Sequence, residues 1–438
     1  MSDDAANSSE AEPSAKDTPP QDAEPATEAT TASASAAAGS GPRSRLGRRL
    51  ATGTAIALAL ALVAGIGTAY AYYRFLQGNM TRHDLGSTLS DEERPEKIGD
   101  AVNILFIGSD GRQEGNSDYG GRDFAGERSD SLMLAHISPD SRVTVINIPR
   151  DSLVQLPQCA PYGETEGTQG YYGMINSALF HGGPPCVIKT VETLTGIRID
   201  HFVHLSFVGF RDMVDAVGGV RMCIPEPMSD RRAKLDLDAG DQRLDGEQAL
   251  AFVRARYEIG DGGDIGRIDR QQMFLGALAE EVTGSGVLTS PAKINGLLQA
   301  ITEHTATDRD FSLSRMVSIG ATLADVDLHD IAFYTVPWFP APSDPNRVVW
   351  DEEKAQRLFA AVSRDQRVDD SMLETGAPSS PSGEPSPLPE PSYPAEPSTE
   401  PVTPSASSSP SPTGGEIEGR DATANPCVNG LGEGTEGK

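Results

Sequence analysis

Four arginines, Arg254, Arg256, Arg267 and Arg270, fall within the stretch AFVRARYEIGDGGDIGRIDRQQ of a chain whose formal net charge is -28. A guanidinium is a planar, permanently charged fork that grips two oxygens at once, which suits it to phosphate. Arg254 and Arg256, two apart, share a face only where the backbone is extended, so a helix reaching them must stop near Val253. Arg267 and Arg270 enter the following helix in its first turn, where unpaired N–H groups favour an anion. Gln271 and Gln272 add neutral donors. Glu258, Asp261, Asp264 and Asp269 are interleaved with these cations, so by spacing alone the stretch fits a solvated mixed-charge surface as well as a phosphate site.

Carboxylates stand at the matching places upstream. Asp110 follows an apolar run, Arg128-Ser129-Asp130 precedes a second, and Pro149-Arg150-Asp151 ends a third. Two carboxylates brought together at strand ends could hold Mg²⁺, which takes oxygen ligands and shares its shell with water and substrate phosphates. A divalent ion with guanidiniums around it is what pyrophosphate chemistry needs, because charge builds on the bridging and leaving oxygens. Other constellations are weaker. Ser109 lies outside a Gly-x-Ser-x-Gly elbow, and Gly108 and Gly111 lack the Gly-Lys-Ser/Thr of a P-loop. His201 and His204, three apart, point to opposite strand faces, and Trp338 and Trp350 read as packing residues.

The elements that must position these residues follow from periodicity. VNILFIGSD (102–110) is a β-branched run ending in a turn, and SLMLAHISP with RVTVINIPRD forms a hairpin around Pro-Asp. INSALFHGG and PPCVIKTVETLTG are helical, the second with a glycine C-cap. HFVHLSFVGFRDMVDAVGGV passes from strand to amphipathic helix. DGEQALAFV opens with a capping box, Asp245 with Gln248. IDRQQMFLGALAEEVTG and FSLSRMVSIGATLADV are further helices, and IAFYTVP a last strand. Interleaved strands and helices without a repeat predict an α/β fold, a mixed central sheet flanked by helices, with ligands beyond the carboxyl ends of strands.

Composition divides the chain. Residues 1–42, rich in Ala, Ser, Thr, Pro and acids, cannot offset chain entropy and are expected to be a disordered acidic tail. Residues 43–73 hold Arg43, Arg45, Arg48 and Arg49 before an uncharged apolar run long enough to span a bilayer. The basic flank predicts a cytoplasmic N-terminus with everything later outside the membrane. Ala69-Tyr70-Ala71 keeps a cleaved signal open, though the long leader favours an anchor. Residues 74–99 read as a linker, 100–368 as the folded domain and 369–438 as a Pro/Ser-rich disordered tail. Residues 1–42 and 374–438 together carry -15 of the net charge, leaving the middle mildly acidic. An acidic exported domain without a basic-aromatic surface excludes nucleic-acid binding. Cys159 and Cys186 would close a short loop. Pairing of Cys223 with Cys427 follows only by subtraction, and a buried free thiol at Cys223 fits equally.

GSDGR (108–112), RSDSLML (128–134), NIPRDSLV (147–154), LDGEQALAFVRAR (244–256) and GDIGRIDRQQ (263–272), in this order behind one anchor, resemble the LytR-CpsA-Psr (LCP) family of cell-envelope proteins. The resemblance covers about 100–368, including VPWFPAPSDPNRVVW. It implies a phosphotransferase that moves a glycopolymer from a polyprenyl pyrophosphate lipid to peptidoglycan. By the same resemblance Asp110 and Asp130 bind Mg²⁺ (or Mn²⁺). Arg128, Arg150, Arg254, Arg256, Arg267 and Arg270, with Gln271 beside them, contact the pyrophosphate, and the lipid enters an apolar tunnel. Asp151 would support Arg150 or act as a base. Hydrolysis of the same lipid, or a non-catalytic anchored envelope regulator, are the alternatives.

Overall fold

The computed structural model describes residues 45–86, 88–109, 127–256, 263–284, 286–368 and 419–429. Helix α1 (Arg45–Asn79) contains the apolar run. The chain divides into the units Met1–Gly67 and Thr68–Lys438. Within the second unit the strands are β1 (Thr81–His83), β2 (Val102–Ser109), β3 (Ser129–Ile137), β4 (Val143–Ile148), β5 (Leu153–Leu156), β6 (Tyr171–Met174), β7 (His201–Ser206) and β8 (Val220–Ile224). They continue as β9 (Met228–Asp230), β10 (Leu235–Leu237), β11 (Gly240–Leu244), β12 (Thr305–Asp308), β13 (Ile331–Thr335), β14 (Trp338–Ala341), β15 (Asp344–Trp350) and β16 (Arg420–Asp421). The helices are α2 (Ser177–Thr195), α3 (Phe207–Val217), α4 (Gly246–Arg254), α5 (Asp264–Gly284), α6 (Pro291–His304), α7 (Leu313–Ala324), α8 (Glu352–Ser363) and α9 (Pro426–Asn429).

Eight strands form the central mixed sheet, in the order β1-β12-β7-β2-β3-β4-β13-β16. β2 runs parallel to β7 and antiparallel to β3, and the expected hairpin of β3 with β4 is present. Period-two alternation decides which side chains go where. Leu105, Ile107, Leu132, Leu134 and Ile146 face Val187, Ile188 and Val191 of α2 and Leu358, Phe359 and Val362 of α8 in one core. Ile104 and Val143, on the other face, meet Phe311, Val326 and the α7 side chains Met316, Ile319 and Leu323. The layers are therefore helix, sheet, helix. Burial of each large core side chain contributes about 1.5–3 kcal/mol.

Local signals account for the helix ends. Asp245 accepts from Gln248 N and the Gln248 side chain returns to the Asp245 backbone, completing the capping box. Gly196, at φ 67°, ends α2 in the left-handed conformation that glycine tolerates. Gly182 and Gly183 break α2 into the two helical pieces that the sequence suggests.

The expected boundaries need two corrections. Residues 74–99 are not simply linker: Leu76, Met80 and Leu89 are buried and β1 joins the sheet, because these apolar side chains find core to cover them. Nor is 369–438 tail throughout. Gly419–Asn429 returns to the domain, where β16 pairs with β13 and Cys427 bonds Cys223 of β8. The second disulfide joins Cys159 to Cys186. The rest of both expected tails lies outside the described residues.

Candidate functional site

The site is built where strands end. Pro149 lacks the N–H that would continue β4, so Arg150 and Asp151 leave the sheet at the carboxyl end of that strand. Asp130 opens β3, beside a register shift at Gly108 and Ser109. α4 stops at Arg254, and Ala255 turns extended at φ -56°, ψ 137°, close to the break expected near Val253. Helix α5 then brings Arg267, Arg270 and Gln271 in from the opposite side.

Charge is buried at this junction. Arg150 Nη1 donates to Asp130 Oδ1, and its Nε lies 3.3 Å from Asp264 Oδ1. Arg267 Nη2 donates to the Asp130 carbonyl at 2.9 Å and stands 2.5 Å from Asp264 Oδ1. Burial disfavours the charge on Arg150, but the carboxylates of Asp130, Asp264 and Asp151 outweigh it and raise its pKa. For Arg267 burial dominates and, reinforced by Arg150, lowers the pKa against the pull of Asp264 and Asp130. Arg267 is 5% exposed and Arg270 only 1%. Desolvated guanidiniums are costly unless an anion meets them.

Several of these groups line a cavity of about 250 Å³. Asp130, Arg150, Arg254, Arg256, Arg267 and Gln271 line it, together with Arg232. The rest of its lining is mainly apolar, with Phe106, Met133, Leu205, Phe210, Phe274 and Leu275 among others. Arg254 lies over the Phe207 ring, 4.5 Å from the centroid, a cation–π contact that fixes its direction. Gln271 accepts from Ser131 Oγ and donates to Val253 O, each at 3.2 Å.

Three sequence candidates are placed elsewhere. Arg270 does not line the cavity; it lies behind, donating to Ala255 O and so holding the segment between Arg254 and Arg256. Arg128 is also off the cavity wall; burial lowers the His181 pKa, and the nearby Arg128 charge lowers it further. Asp151, 4% exposed, faces Arg256 Nη2 at 3.4 Å and Arg347 Nη1 at 3.0 Å, a place for a carboxylate that orders arginines. Asp110 lies outside the described residues, as do Glu258 and Asp261. His201 pairs with Asp308 and stacks on Phe311, while His204 faces Glu127. Trp350 packs against Phe359.

Sequence reasoning missed Asp264, Asp230 and Arg347. Asp264 reads from sequence as a surface counter-charge; its spacing of three before Arg267 on a first helical turn is the available signal. Asp230 accepts from the backbone N of Arg232, Ala233 and Arg256, and nothing in its neighbourhood advertises that.

Among the described residues no cluster of three or more His, Cys, Asp or Glu side chains forms a metal site. A hard divalent cation still suits the donors at hand. Asp130 lines the cavity, and Asp264 Oδ2, one guanidinium away, is buried without a hydrogen bond. Mg²⁺ needs only one or two carboxylates when phosphate and water complete its shell.

The sequence profile of the LytR_cpsA_psr family matches residues 72–361. The probable cell wall biosynthesis protein LcpB of Corynebacterium glutamicum is 35% identical over 275 residues, covering 60% of this chain and 61% of that protein. The polyisoprenyl-teichoic acid–peptidoglycan teichoic acid transferase TagU of Oceanobacillus iheyensis is 32% identical, covering 50% of this chain and 65% of its own length. The chain thus spans less than two thirds of these curated relatives. A LytR-Csp2A-Psr enzyme from Actinomyces oris shares the fold at a TM-score of 0.51 and 22% identity, covering 65% of this chain and 96% of that one. With most of its folded part inside the matched region, this chain belongs to the LytR_cpsA_psr family.

Proposed function

We propose that the cavity binds a glycopolymer carried on a polyprenyl pyrophosphate and transfers it, with the proximal phosphate, to a hydroxyl of peptidoglycan. The observation that carries this reading is the meeting of two chemistries in one cavity. The apolar part of the lining favours a prenyl chain, and Arg150, Arg254, Arg256 and Arg267 in the same lining favour a diphosphate. The printed name of the TagU relative, which sets a polyisoprenyl-linked polymer against peptidoglycan, supports the same substrate class.

In this reading the acceptor oxygen attacks the phosphorus next to the glycan. A new P–O bond forms as the bond from that phosphorus to the bridging oxygen breaks. The electron pair leaves with polyprenyl phosphate, and the acceptor proton passes to solvent or a base. Arg150, Arg256 and Arg267 stabilise charge on the phosphoryl and bridging oxygens, at positions already ordered by Asp130, Asp151 and Asp264. Arg254, braced on Phe207, orients the diphosphate. Arg270 keeps the Arg254–Arg256 strand in place. Asp110 and Asp130 would hold Mg²⁺, or Mn²⁺, which would supply Lewis-acid polarisation of the phosphate oxygens.

The stretch Arg49–Asn79 is long and apolar enough to cross a membrane. With the arginines before it, this supports a single-pass protein whose catalytic domain lies outside the cell membrane. Two disulfides suit that oxidising side.

The test uses the detergent-solubilised full chain with a polyprenyl pyrophosphate glycan and Mg²⁺, with and without peptidoglycan. Release of polyprenyl phosphate that depends on peptidoglycan is the expected result. Release in water alone would make the protein a hydrolase, and no release would make it a binding or regulatory protein.

A further inference from the structure

We infer that Arg347 is a positioning residue of this site, acting through Asp151 on the Arg256 guanidinium; the inference rests on the pyrophosphate reading above. Arg347 lies on β15, far along the chain from every arginine of the cavity lining. The β14–β15 hairpin is docked beside the segment that carries Arg150 and Asp151. Ser152 and Val348 form a parallel bridge, Val348 N donates to Asp151 O at 3.3 Å, and Trp350 Nε1 donates to Ser152 Oγ at 2.9 Å. A parallel bridge at Ser152 and Val348 sets the residues before them, Asp151 and Arg347, side by side on the same face. Arg347 Nη1 accordingly stands 3.0 Å from Asp151 Oδ1, while Asp151 Oδ2 faces Arg256 Nη2 at 3.4 Å.

The consequence is a division of one buried charge. Asp151 is 4% exposed, so its carboxylate needs cationic neighbours. Arg347, partly exposed, takes one oxygen, and this limits how strongly Asp151 draws Arg256 away from a bound diphosphate. The Arg256 main chain is already fixed by Asp230 Oδ2 at 2.8 Å, so the direction of its side chain is what Asp151 controls. Arg256 lines the cavity; Arg347 and Asp151 do not. A residue in that place shapes the site without touching the substrate.

The experiment is a double-mutant cycle on the solubilised full chain, reading the dissociation constant of inorganic pyrophosphate by calorimetry in the presence of Mg²⁺. Arg347→Ala should weaken binding about tenfold, and Arg347→Lys, which keeps a cation at Asp151 Oδ1, should recover most of it. In an Arg256→Ala background, Arg347→Ala should have no further effect. Additive losses in the cycle, or an Arg347→Lys as weak as Arg347→Ala, overturn the inference while leaving the site reading intact. A wild-type chain that does not bind pyrophosphate overturns both.

Discussion

Helix α5 has two sides that are satisfied in different ways. Toward the cavity, Arg150, Arg267, Asp264 and Asp151 meet one another and Arg256 as buried ion pairs, and among the described residues Arg267 Nε and Asp264 Oδ2 are buried without a hydrogen bond. Toward the C-terminal segment the contacts close. Gly276 lies so near Ala422 that an added Cβ would meet its carbonyl oxygen at 2.9 Å, and Ala422 N donates to Ile331 O. Arg420 reaches Asp269 at 3.4 Å, and the Cys223–Cys427 disulfide ties the segment to β8. Folded proteins leave few buried polar atoms without a hydrogen bond, so buried charges with unfilled positions on one side mark where a ligand belongs. The other side holds the helix still. Stability and binding are thus assigned to opposite surfaces of one helix.

That separation can be broken from either side. The largest stability loss should come from Cys223→Ser with Cys427→Ser, since the bond spans 204 residues and its chain-entropy contribution is about 5 kcal/mol. Removing the Cys159–Cys186 bond, which spans 27 residues, should cost less, about 3.5 kcal/mol. Denaturant unfolding of the two double variants checks the order; pyrophosphate binding below the unfolding transition should survive loss of the Cys223–Cys427 bond. On the cavity side the effect should invert. Arg150→Ala should cut turnover by roughly 10²–10³, equivalent to about 3–4 kcal/mol of transition-state stabilisation. Its unfolding midpoint should shift far less than that of the disulfide variant, because Asp264, left behind, keeps Arg267 as a partner and the Asp130 carboxylate is partly exposed to water. A variant that loses stability and binding together, on either side, would erase the division.

The sequence made one side of this contrast readable. The β2, β3 and β4 runs, the Asp245 capping box and the break after α4 follow from local periodicity and hydrogen-bonding chemistry, which act over a few residues. The arginine stretch was visible for the same reason. Its partners were harder. Asp264 looked like a surface counter-charge because a sequence does not state burial, and Arg270 sits behind the cavity because its helical angle, not its charge, decides which way it points. Asp151 and Arg347 meet only through a pairing between distant strands. The C-terminal return was hidden most deeply. β16 has two residues and no usable pattern, and Cys427 could be matched to Cys223 only by elimination. The small hairpins, β5 with β6 and β14 with β15, were missed because strands that short give too few alternations to read.

The central claim is that one cavity takes a prenyl chain and its diphosphate together. The most direct measurement is calorimetric binding, with Mg²⁺, of three probes to the wild-type chain: a short prenyl pyrophosphate, inorganic pyrophosphate and the matching prenyl alcohol. The prenyl pyrophosphate should bind at least about tenfold more tightly than either part, since burial of several CH₂ groups adds to the charge contacts. Equal affinity for prenyl pyrophosphate and inorganic pyrophosphate would contradict the account.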